Sequence, residues 1–350
     1  NSAPDIKVAG GAILKVNWAD LSCLTAFCSS PKTSTRRIAD AIFKKLEEMS
    51  DPWLQIPIHL IGHSRGASVN SSLAHKLGEN GIWVDHFTSL DPQPLTSIVN
   101  DIDQTLTVIN DWEVKIYENV LFADNYYRRG DFSIPYGESV DNVFERNLYG
   151  VITGDGYNCE RDSLKNGTAH EQVHTYYHGT IDTRLNCCVD KVIVQDKWYN
   201  DDYSRKETGY YFSRIGGGNR YGIASSGLHF RLSGSTYNRE PWDVSISLDQ
   251  PNATLKPLAK DSDYNITVGN TVDFIYYYQN ADTIAFFLDD DTNPFNDNYK
   301  QIGTSTPPTK TSIIGKGTFP WSPADTDGRP HYVQIKAENT SGNVRYDYLL

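Results

Sequence analysis

The sequence predicts an α/β fold with a mostly parallel sheet, followed by a smaller all-β part. Over the first 240 residues, short apolar runs typical of buried strands alternate with amphipathic helix patterns, and this alternation indicates a parallel sheet. Beyond Trp242 only strand patterns occur, with turn signals between them. A chain of 350 residues is long enough for two domains. We place the boundary near residues 240–248 and predict domains of residues 1–243 and 244–350.

The elements of the first part are predicted from apolar spacing and turn signals. The spacing of Ile38, Ile42 and Leu46 marks one face of a helix. In chain order we predict a buried strand over 12–16, a helix over 35–49, a strand ending at Gly62, a helix from 65 to Leu77 that Gly78 stops, a strand over 82–90 that ends at Asp91, and a strand over 115–123 that ends at Asp124.

The second part shows apolar side chains that alternate with a period of two. The three clearest runs are Val272, Phe274, Tyr276 and Tyr278, then Ile284, Phe286 and Leu288, then Val333, Ile335 and Ala337. Such alternation is typical of strands with one buried face. About a hundred residues of this kind, without a helix pattern, predict an immunoglobulin-like (Ig-like) β-sandwich.

Composition excludes several classes of function. The net charge of −12 and the isoelectric point near 5.2 lack the basic footprint of a nucleic-acid-binding protein. The mean hydropathy is −0.50 and no apolar run approaches 18 residues, so we predict no transmembrane segment. The start of the sequence shows no signal peptide, and we expect an export signal to have been cleaved or omitted. A single Met and 22 Tyr fit a secreted protein, extracellular or periplasmic.

The cysteines leave their pairing open. The five are Cys23, Cys28, Cys159, Cys187 and Cys188. An odd count leaves at least one thiol unpaired within a monomer. Cys23 and Cys28 can close a local loop, and Cys159 can pair with either of the last two. No C-x-x-C pair is present, so we expect no structural zinc.

The most informative motif is Gly62-His63-Ser64-Arg65-Gly66, which lies between a predicted strand and a predicted helix. G-x-S-x-G in this context is typical of a nucleophile elbow, whose sharp turn needs small residues two before and two after the serine. The serine hydroxyl then projects above the sheet, and the next backbone N–H can help bind an oxyanion. We predict Ser64 as a nucleophile and the Arg65 backbone N–H as an oxyanion donor; a plain Gly-rich turn is the alternative.

A serine nucleophile needs a base, and the base needs an acid that orients it. In folds built around a nucleophile elbow, the acid follows the serine along the chain and the histidine comes last. Asp91 and Asp124 end the next two predicted strands, where either can be the acid or a turn residue. Chain order and position leave three histidines as candidates for the base: His170, His174 and His178.

Five separated segments resemble secreted lipases. VNWADLS at 16–22, IHLIGHSRGASV at 58–69 and SLDPQP at 89–94 look like the core of that superfamily. Pancreatic-type lipases carry the acid in a Leu-Asp-Pro-x-x-Pro-like turn, which is one residue longer than the turn here. A group of bacterial lipase-like proteins is closer, with T-x-L-D-P-x-P, V-F-A-D-N-Y and H-x-x-V-x-x-W-Y-H-G-T. This chain has TSLDPQP, LFADNY at 121–126 and HEQVHTYYHGT at 170–180.

The resemblance covers most of residues 12–240 and implies an α/β-hydrolase fold. It implies a lipase or esterase that cleaves carboxylic esters, with lipids or other hydrophobic esters as substrates and possible peripheral contact with a lipid interface. It favours Asp91 as the acid and His170 as the base. Asp124 stays the alternative acid because it occupies the more usual strand position, and His174 stays the alternative base. No cofactor is needed for this chemistry.

One departure from the resemblance concerns the oxyanion hole. Lipases of this superfamily carry an earlier strand that ends in an oxyanion loop, typically His-Gly. Only eleven residues precede the strand predicted over 12–16. Either that strand lies outside this sequence or Gly10-Gly11 takes the place of the loop, so the second oxyanion donor is unassigned.

Two further hypotheses remain open. His170-Glu171-x-x-His174 is a literal H-E-x-x-H, which on a helix predicts a zinc metallopeptidase. The motif lacks a clear third ligand, because a ligand at His178 would crowd a tetrahedral centre. The other hypothesis is a non-catalytic binding protein on a hydrolase scaffold, with the sandwich in an adhesive or carbohydrate-binding role.

Three segments allow two interpretations each. The run Asp289-Asp290-Asp291 with Asn293 and Asp297 is either a Ca²⁺ loop or a solvated acidic turn. The loop-rich stretch 198–241 is either a surface loop or a cover over the active site. Aromatic residues at 126–127, 176–177 and 209–212 either line an acyl groove or belong to an ordinary core.

Overall fold

The computed structural model describes most of the chain. The described residues are 11–18, 33–49, 53–94, 96–100, 106–129, 137–152, 169–182, 188–189, 192–199, 204–216, 220, 227–229, 249–256, 265–308, 314–324, 329 and 331–349. The predicted boundary at 240–248 falls entirely outside these ranges. So do four of the five cysteines and the side chain of Cys188, and their pairing stays a prediction.

The first part contains three helices and eight strands among its described residues. The helices are α1 (Thr35–Glu48), α2 (Arg65–Glu79) and α3 (Ala169–Ile181). The strands are β1 (His59–His63), β2 (Val84–Leu90), β3 (Thr96–Asn100), β4 (Leu106–Asn110), β5 (Val120–Tyr127), β6 (Phe144–Asn147), β7 (Cys188–Val189) and β8 (Val192–Ile193). Short 3₁₀ turns cover Trp53–Gln55, Asp196–Tyr199, Arg205–Glu207, Gly209–Phe212 and Arg214–Gly216.

A parallel sheet with the strand order β1-β2-β5-β6 forms the centre of this part. All seven residues of β2 are buried, as expected for a parallel strand covered on both faces. One apolar cluster packs α1 and α2 on the sheet through Phe43, Leu73 and Phe87. A second cluster packs α3 and the 3₁₀ turns on it through residues such as Phe122 and Tyr176. The prediction of an α/β architecture with a parallel sheet is therefore confirmed.

The second part consists of two antiparallel sheets. Its strands are β9 (Asn252–Leu255), β10 (Val272–Gln279), β11 (Thr283–Asp289), β12 (Lys300–Ser305), β13 (Gly315–Trp321), β14 (Tyr332–Glu338) and β15 (Val344–Leu349). They pair in the orders β13-β10-β9 and β12-β11-β14-β15. Phe274 and Phe286, one from each sheet, belong to a common buried cluster, and the rings of Phe286 and Phe319 stack with centroids 4.2 Å apart. The period-two pattern thus predicted β10, β11 and β14 correctly, and the apolar side chains on which it rested are buried or, at Leu288, half-buried.

Hydrogen bonds join the two parts. The Arg214 guanidinium donates to the carboxylate of Asp347 on β15. The Trp83 indole donates to the Gln279 side chain at 2.9 Å, and the Asn252 amide donates to the Gly81 carbonyl at 2.7 Å. Two of these three bonds are buried and the third is half-buried, so polar side chains contribute to the contact between the two parts.

The strand predicted over 12–16 is wrong. Residues 11–18 form no strand, and the side chains of Ile13 and Leu14 are 94% and 47% exposed. An apolar run becomes a buried strand only where another strand completes its hydrogen bonds. Within the described ranges, β1 pairs only with β2, and Ile61 at its centre is 44% exposed.

The strand predicted over 115–123 begins later, at Val120, so Asp124 lies inside β5 rather than at its end. The preceding residues run along α2 instead, because Lys115 N donates to Ser71 Oγ at 2.9 Å and Asn119 Nδ2 donates to the Ala74 carbonyl at 2.8 Å. The pair β3–β4 and strand β6 were not predicted. Helix α2 continues one residue past Gly78.

None of the helices in the described ranges combines the length and the apolarity needed to cross a bilayer.

Candidate active site

Ser64 lies at the junction of β1 and α2 in a strained backbone conformation. Its φ is 57° and its ψ is −129°, values that residues other than glycine rarely adopt. Strain of this kind costs on the order of 1–3 kcal/mol and persists only where the surroundings enforce it. Here the Ser64 N–H donates to the Leu90 carbonyl at 2.9 Å, and the Ser64 carbonyl accepts from Ala67 N at 3.1 Å.

The two glycines of the motif have different roles. A Cβ on Gly62 would lie 2.4 Å from the Gly66 carbonyl oxygen, so the turn requires glycine at position 62. A Cβ on Gly66 would have no atom within 4 Å. The prediction that both positions need a small residue is right for the first and wrong for the second.

Asp91 follows β2 and is completely buried. Its backbone has a φ of 46°, and its N–H donates to the Tyr126 carbonyl at 2.7 Å. One carboxylate oxygen, Oδ1, accepts from Arg128 N at 2.8 Å. A Cβ on Gly137 would lie 2.0 Å from this same oxygen, so the close approach of that backbone depends on glycine. The other oxygen, Oδ2, lies 2.5 Å from His170 Nδ1.

His170 lies in the first turn of α3, against the residue that precedes Ser64. Its ring centroid is 4.4 Å from that of His63, and its carbonyl accepts from His63 Nε2 at 2.9 Å. Arg128 also steadies this turn, because its guanidinium donates to the Gln172 side chain at 3.0 Å. The fold thus pairs two of the predicted site residues, Asp91 and His170, beside the peptide that carries Ser64.

The Asp91–His170 pair determines how the imidazole can act. When Nδ1–H donates to a carboxylate, Nε2 becomes the nitrogen that can accept a proton. His63 does not share this arrangement. Burial, reinforced by the nearby His170, lowers the pKa of His63 to about 4, so that ring is neutral at neutral pH.

Arg65 is the first residue of α2, and its side chain is buried against Asp111. Its backbone N–H belongs to the first helical turn, where amides have no acceptor within the helix and favour a negative charge. No second oxyanion donor is evident in the described ranges. Gly10 lies outside them, and a Cβ on Gly11 would have no atom within 4 Å.

Asp124 does not take part in this arrangement. It is completely buried inside β5, where Oδ1 accepts from Thr88 Oγ1 at 2.6 Å and from His86 Nε2 at 2.9 Å. Tyr126 OH donates to Oδ2 at 3.1 Å. Burial raises the pKa of Asp124 to about 7. The prediction that Asp124 ends its strand is therefore wrong.

A buried polar cluster surrounds Asp124 and was missed at the level of sequence. The rings of His59 and His86 stack with centroids 3.9 Å apart, and His59 bonds Thr88 Oγ1 at 2.9 Å and Ser213 Oγ at 3.1 Å. Burial lowers the pKa of both histidines well below the usual value. The sequence did contain a signal for this cluster. Polar residues occupy alternating positions of β2, inside a run otherwise typical of a buried strand.

The H-E-x-x-H segment does lie on a helix, α3. His170 Nδ1 contacts Asp91, however, and His174 packs with its ring centroid 5.2 Å from that of His63. Across the part of the chain that the structure describes, no group of three or more His, Cys, Asp or Glu side chains is arranged to hold a metal ion. The side chain of Glu171 is outside that part.

The acidic loop after β11 uses its carboxylates internally. Asp289 accepts from Asp291 N at 3.0 Å, and Asp291 accepts from Asn293 N at 2.7 Å. Asp290 lies 3.0 Å from His331 Nδ1. In these bonds the side chains cap the backbone of successive turns, and the choice between an acidic turn and a Ca²⁺ loop stays a prediction.

The aromatic segments belong largely to the core. Tyr126, Tyr176 and Tyr177 are buried in the cluster between α3 and the sheet. The described residues 204–216 pack on the same cluster, since Gly209 N donates to Tyr126 OH at 2.6 Å and Ser213 contacts His59. This part of the stretch 198–241 therefore packs on the core through residues such as Phe212 and Ser213, and its interpretation as a cover over the active site stays a prediction.

A cavity of about 350 Å³ lies beside the Asp91 turn. Pro92 and Pro94 line it together with Lys115, Glu138 and Asp141. Charged side chains make this lining unsuited to an acyl chain. The cavity is thus distinct from the acyl groove expected from the aromatic segments.

No protein-family model, curated protein or solved structure matches this chain.

Proposed function

We propose that this chain is a serine hydrolase that cleaves carboxylic esters through an acyl-enzyme on Ser64. One observation carries the proposal: the 2.5 Å contact between Asp91 Oδ2 and His170 Nδ1, formed beside the peptide of a strained serine at a strand–helix junction. Each component has a structural alternative, but together they supply the nucleophile, the base and the orienting acid that activation of a hydroxyl requires.

The proposed reaction assigns one task to each group. His170 Nε2 removes the proton from Ser64 Oγ as that oxygen attacks the ester carbonyl. Asp91 holds the imidazole in the required tautomer and stabilises its charged form. The Arg65 backbone N–H stabilises the negative charge that develops on the carbonyl oxygen. His170 then protonates the leaving alcohol, and water repeats the sequence on the acyl-serine. The reaction needs no cofactor.

The wider assignments are part of the same proposal. The order strand, elbow, helix, parallel strand supports an α/β-hydrolase fold for residues 1–243, and two packed antiparallel sheets support an Ig-like domain for 244–350. A lipase or esterase acting on lipids or other hydrophobic esters, with peripheral contact to a lipid interface, rests on the sequence resemblance. Secretion rests on composition.

Neither rival hypothesis gains a specific observation in its favour. For a zinc metallopeptidase, His170 would have to release Asp91 or bind the metal through Nε2, and His63 lies against the same ring. A binding protein on a hydrolase scaffold leaves the strain at Ser64 unexplained.

The test of the activity combines a substrate panel with a covalent probe. A series of p-nitrophenyl esters of increasing acyl length is assayed, and a fluorophosphonate is mapped by mass spectrometry. We expect ester turnover, labelling at Ser64, loss of both in Ser64→Ala, and indifference to 1,10-phenanthroline. Loss of activity with the chelator and no labelling would support zinc instead. Neither turnover nor labelling would support the binding protein.

The assignment of the acid has its own test, in which Asp91→Asn and Asp124→Asn serve as matched variants because both aspartates are completely buried. Asp91→Asn should lower kcat by about 10⁴-fold, since an amide favours the wrong imidazole tautomer. Asp124→Asn should change kcat by less than about tenfold. Melting curves check that both variants are folded. A larger loss of kcat in Asp124→Asn would reverse the assignment.

A further inference from the structure

The residue that follows the proposed nucleophile is held by a buried ion pair. Arg65 and Asp111 are only 5% and 2% exposed. Arg65 Nε donates to Asp111 Oδ2 at 2.7 Å, and Nη2 donates to Oδ1 at 2.9 Å. This two-point contact between a planar guanidinium and a carboxylate fixes the orientation of the arginine as well as its position.

Further contacts connect the Arg65–Asp111 pair to neighbouring segments of the chain. Arg65 Nη2 also donates to the Thr33 carbonyl at 3.1 Å, and the guanidinium lies over the Trp18 ring at 5.1 Å. Asp111 Oδ1 accepts from the backbone N–H of Thr35 at 3.1 Å. A single carboxylate therefore fixes the first residue of α1 and the first residue of α2.

Fold stability is a weak explanation for this pair. The cost of removing two charges from water largely offsets their attraction, and apolar residues of similar size often stabilise a protein equally well. Exact placement of the backbone is a better explanation for the pair than stability. The strained φ of Ser64 persists only if the backbone on both sides of it is fixed. The bond from Ser64 N to the Leu90 carbonyl fixes one side. The Arg65 side chain fixes the other.

We propose that Asp111 is a positioning residue for catalysis. Through the Arg65 side chain it sets the direction of the Arg65 backbone N–H, the proposed oxyanion donor, and holds the elbow in its strained form. This inference rests on the proposed function of Ser64. It adds a role for a residue 46 positions along the chain that acts through the Arg65 side chain.

The fold supplies a matched control in a second buried ion pair. Asp85 accepts from Arg220 Nη2 at 2.7 Å and 2.8 Å, and the two residues are 4% and 2% exposed. Asp85 lies near the start of β2, whereas Asp91 follows its opposite end. Asp111→Asn and Asp85→Asn thus each remove one negative charge from a buried ion pair with an arginine. The first pair lies close to the proposed site, and the second lies away from it.

The experiment measures kcat and KM for p-nitrophenyl butyrate and the rate of fluorophosphonate labelling of Ser64, at a temperature below the melting point of every variant. Asp111→Asn should lower kcat and the labelling rate on the order of 10–100-fold, with KM changed less than about twofold, because a misdirected donor affects mainly the transition state. Asp85→Asn should lower kcat less than threefold, even if its melting temperature falls as much as that of Asp111→Asn.

A double variant, Arg65→Met with Asp111→Leu, covers the case in which Asp111→Asn does not fold. An apolar pair avoids an unpaired buried charge, so the protein should fold, yet kcat should still fall at least tenfold. Equal kcat losses in Asp111→Asn and Asp85→Asn, or full kcat in the double variant, would overturn the inference while labelling of the wild type upholds the proposed function. A wild type that is not labelled at Ser64 would overturn both.

Discussion

At the scale of single residues, the site depends on contacts too close for an added atom. Ser64 keeps a φ of 57° at the end of β1, and the turn closes only because Gly62 brings its backbone against the Gly66 carbonyl. Gly137 allows a similar approach to the Asp91 carboxylate. A Cβ on Gly66 would meet no atom within 4 Å. Two glycines therefore set the geometry of the site. Gly62 belongs to the G-x-S-x-G motif, and Gly137 lies outside it.

This difference predicts opposite effects for two alanine substitutions four residues apart. Gly62→Ala should destabilise the protein by at least about 1–3 kcal/mol and abolish ester hydrolysis, because its Cβ meets backbone rather than a flexible side chain. Gly66→Ala should keep activity and gain up to about 1 kcal/mol, since alanine is the better helix former. Urea denaturation with a parallel ester assay measures both effects. Similar behaviour of the two variants would contradict the steric argument.

At the scale of elements, three adjacent parallel strands bury a polar cluster between them and the turns at 209–216. β1 contributes His59, β2 contributes His86 and Thr88, and β5 contributes Asp124. The hydrogen bonds within the cluster offset part of the cost of burial. Burial outweighs these hydrogen bonds and raises the pKa of Asp124, so its carboxyl group takes up a proton more readily in the folded chain than in the unfolded one.

The raised pKa of Asp124 predicts a specific dependence of stability on pH. The shift from 3.8 to about 7 means that between these pH values the native state binds a proton that the unfolded chain has released. The contribution of Asp124 to the free energy of unfolding should therefore fall as the pH rises from about 4 to about 7. The difference between the wild type and Asp124→Asn should decrease over this window by up to about 4 kcal/mol.

Comparison with the variant is needed because other groups act in the opposite direction. The pKa values of His59, His63 and His86 are lowered, so these residues favour the native state increasingly as the pH rises towards 6.5. Urea denaturation at pH 4.5, 5.5, 6.5 and 7.5 gives the difference directly. A difference that is constant, or that increases with pH, would contradict burial as the cause of the shift.

At the scale of the whole molecule, the second part of the chain braces the first. Asp347 on β15 accepts hydrogen bonds from Arg214, from Thr254 Oγ1 at 2.6 Å and from Leu255 N at 3.0 Å. Arg214 immediately follows Ser213, which contacts His59 in the polar cluster. A continuous set of contacts thus connects the antiparallel sheets to the interior of the parallel sheet.

This connection predicts that a change in the second part affects the first. Asp347→Asn leaves the buried Arg214 charge without its partner and should cost about 3–5 kcal/mol. Hydrogen exchange of the amides at 209–216 should accelerate as well. Glu48→Gln is the control, because it alters an exposed pair with Lys44 worth less than about 1 kcal/mol. If the exchange at 209–216 is as slow in Asp347→Asn as in the wild type, the bracing role is wrong.

Features encoded by neighbouring residues were predictable from the sequence, whereas features that depend on distant partners were not. The alternation of strands and helices, the helix over 35–48 and the period-two strands of the second part could all be predicted, because each is encoded within about ten consecutive residues. The segment 12–16 has the right composition for a strand and yet forms none, since composition supplies no pairing partner. Asp124 was misplaced by a few residues for a similar reason.

The sequence by itself determined the kind of layers, the strand–turn–helix junction at Ser64 and a short set of candidate acids and bases. The tertiary structure alone decided which of them meet: Asp91 contacts His170 across 79 positions, and Asp111 holds Arg65 across 46. Periodic burial is a property of neighbouring residues and can be read locally. A contact between distant side chains depends on how the elements pack, and that is fixed only when the whole core forms.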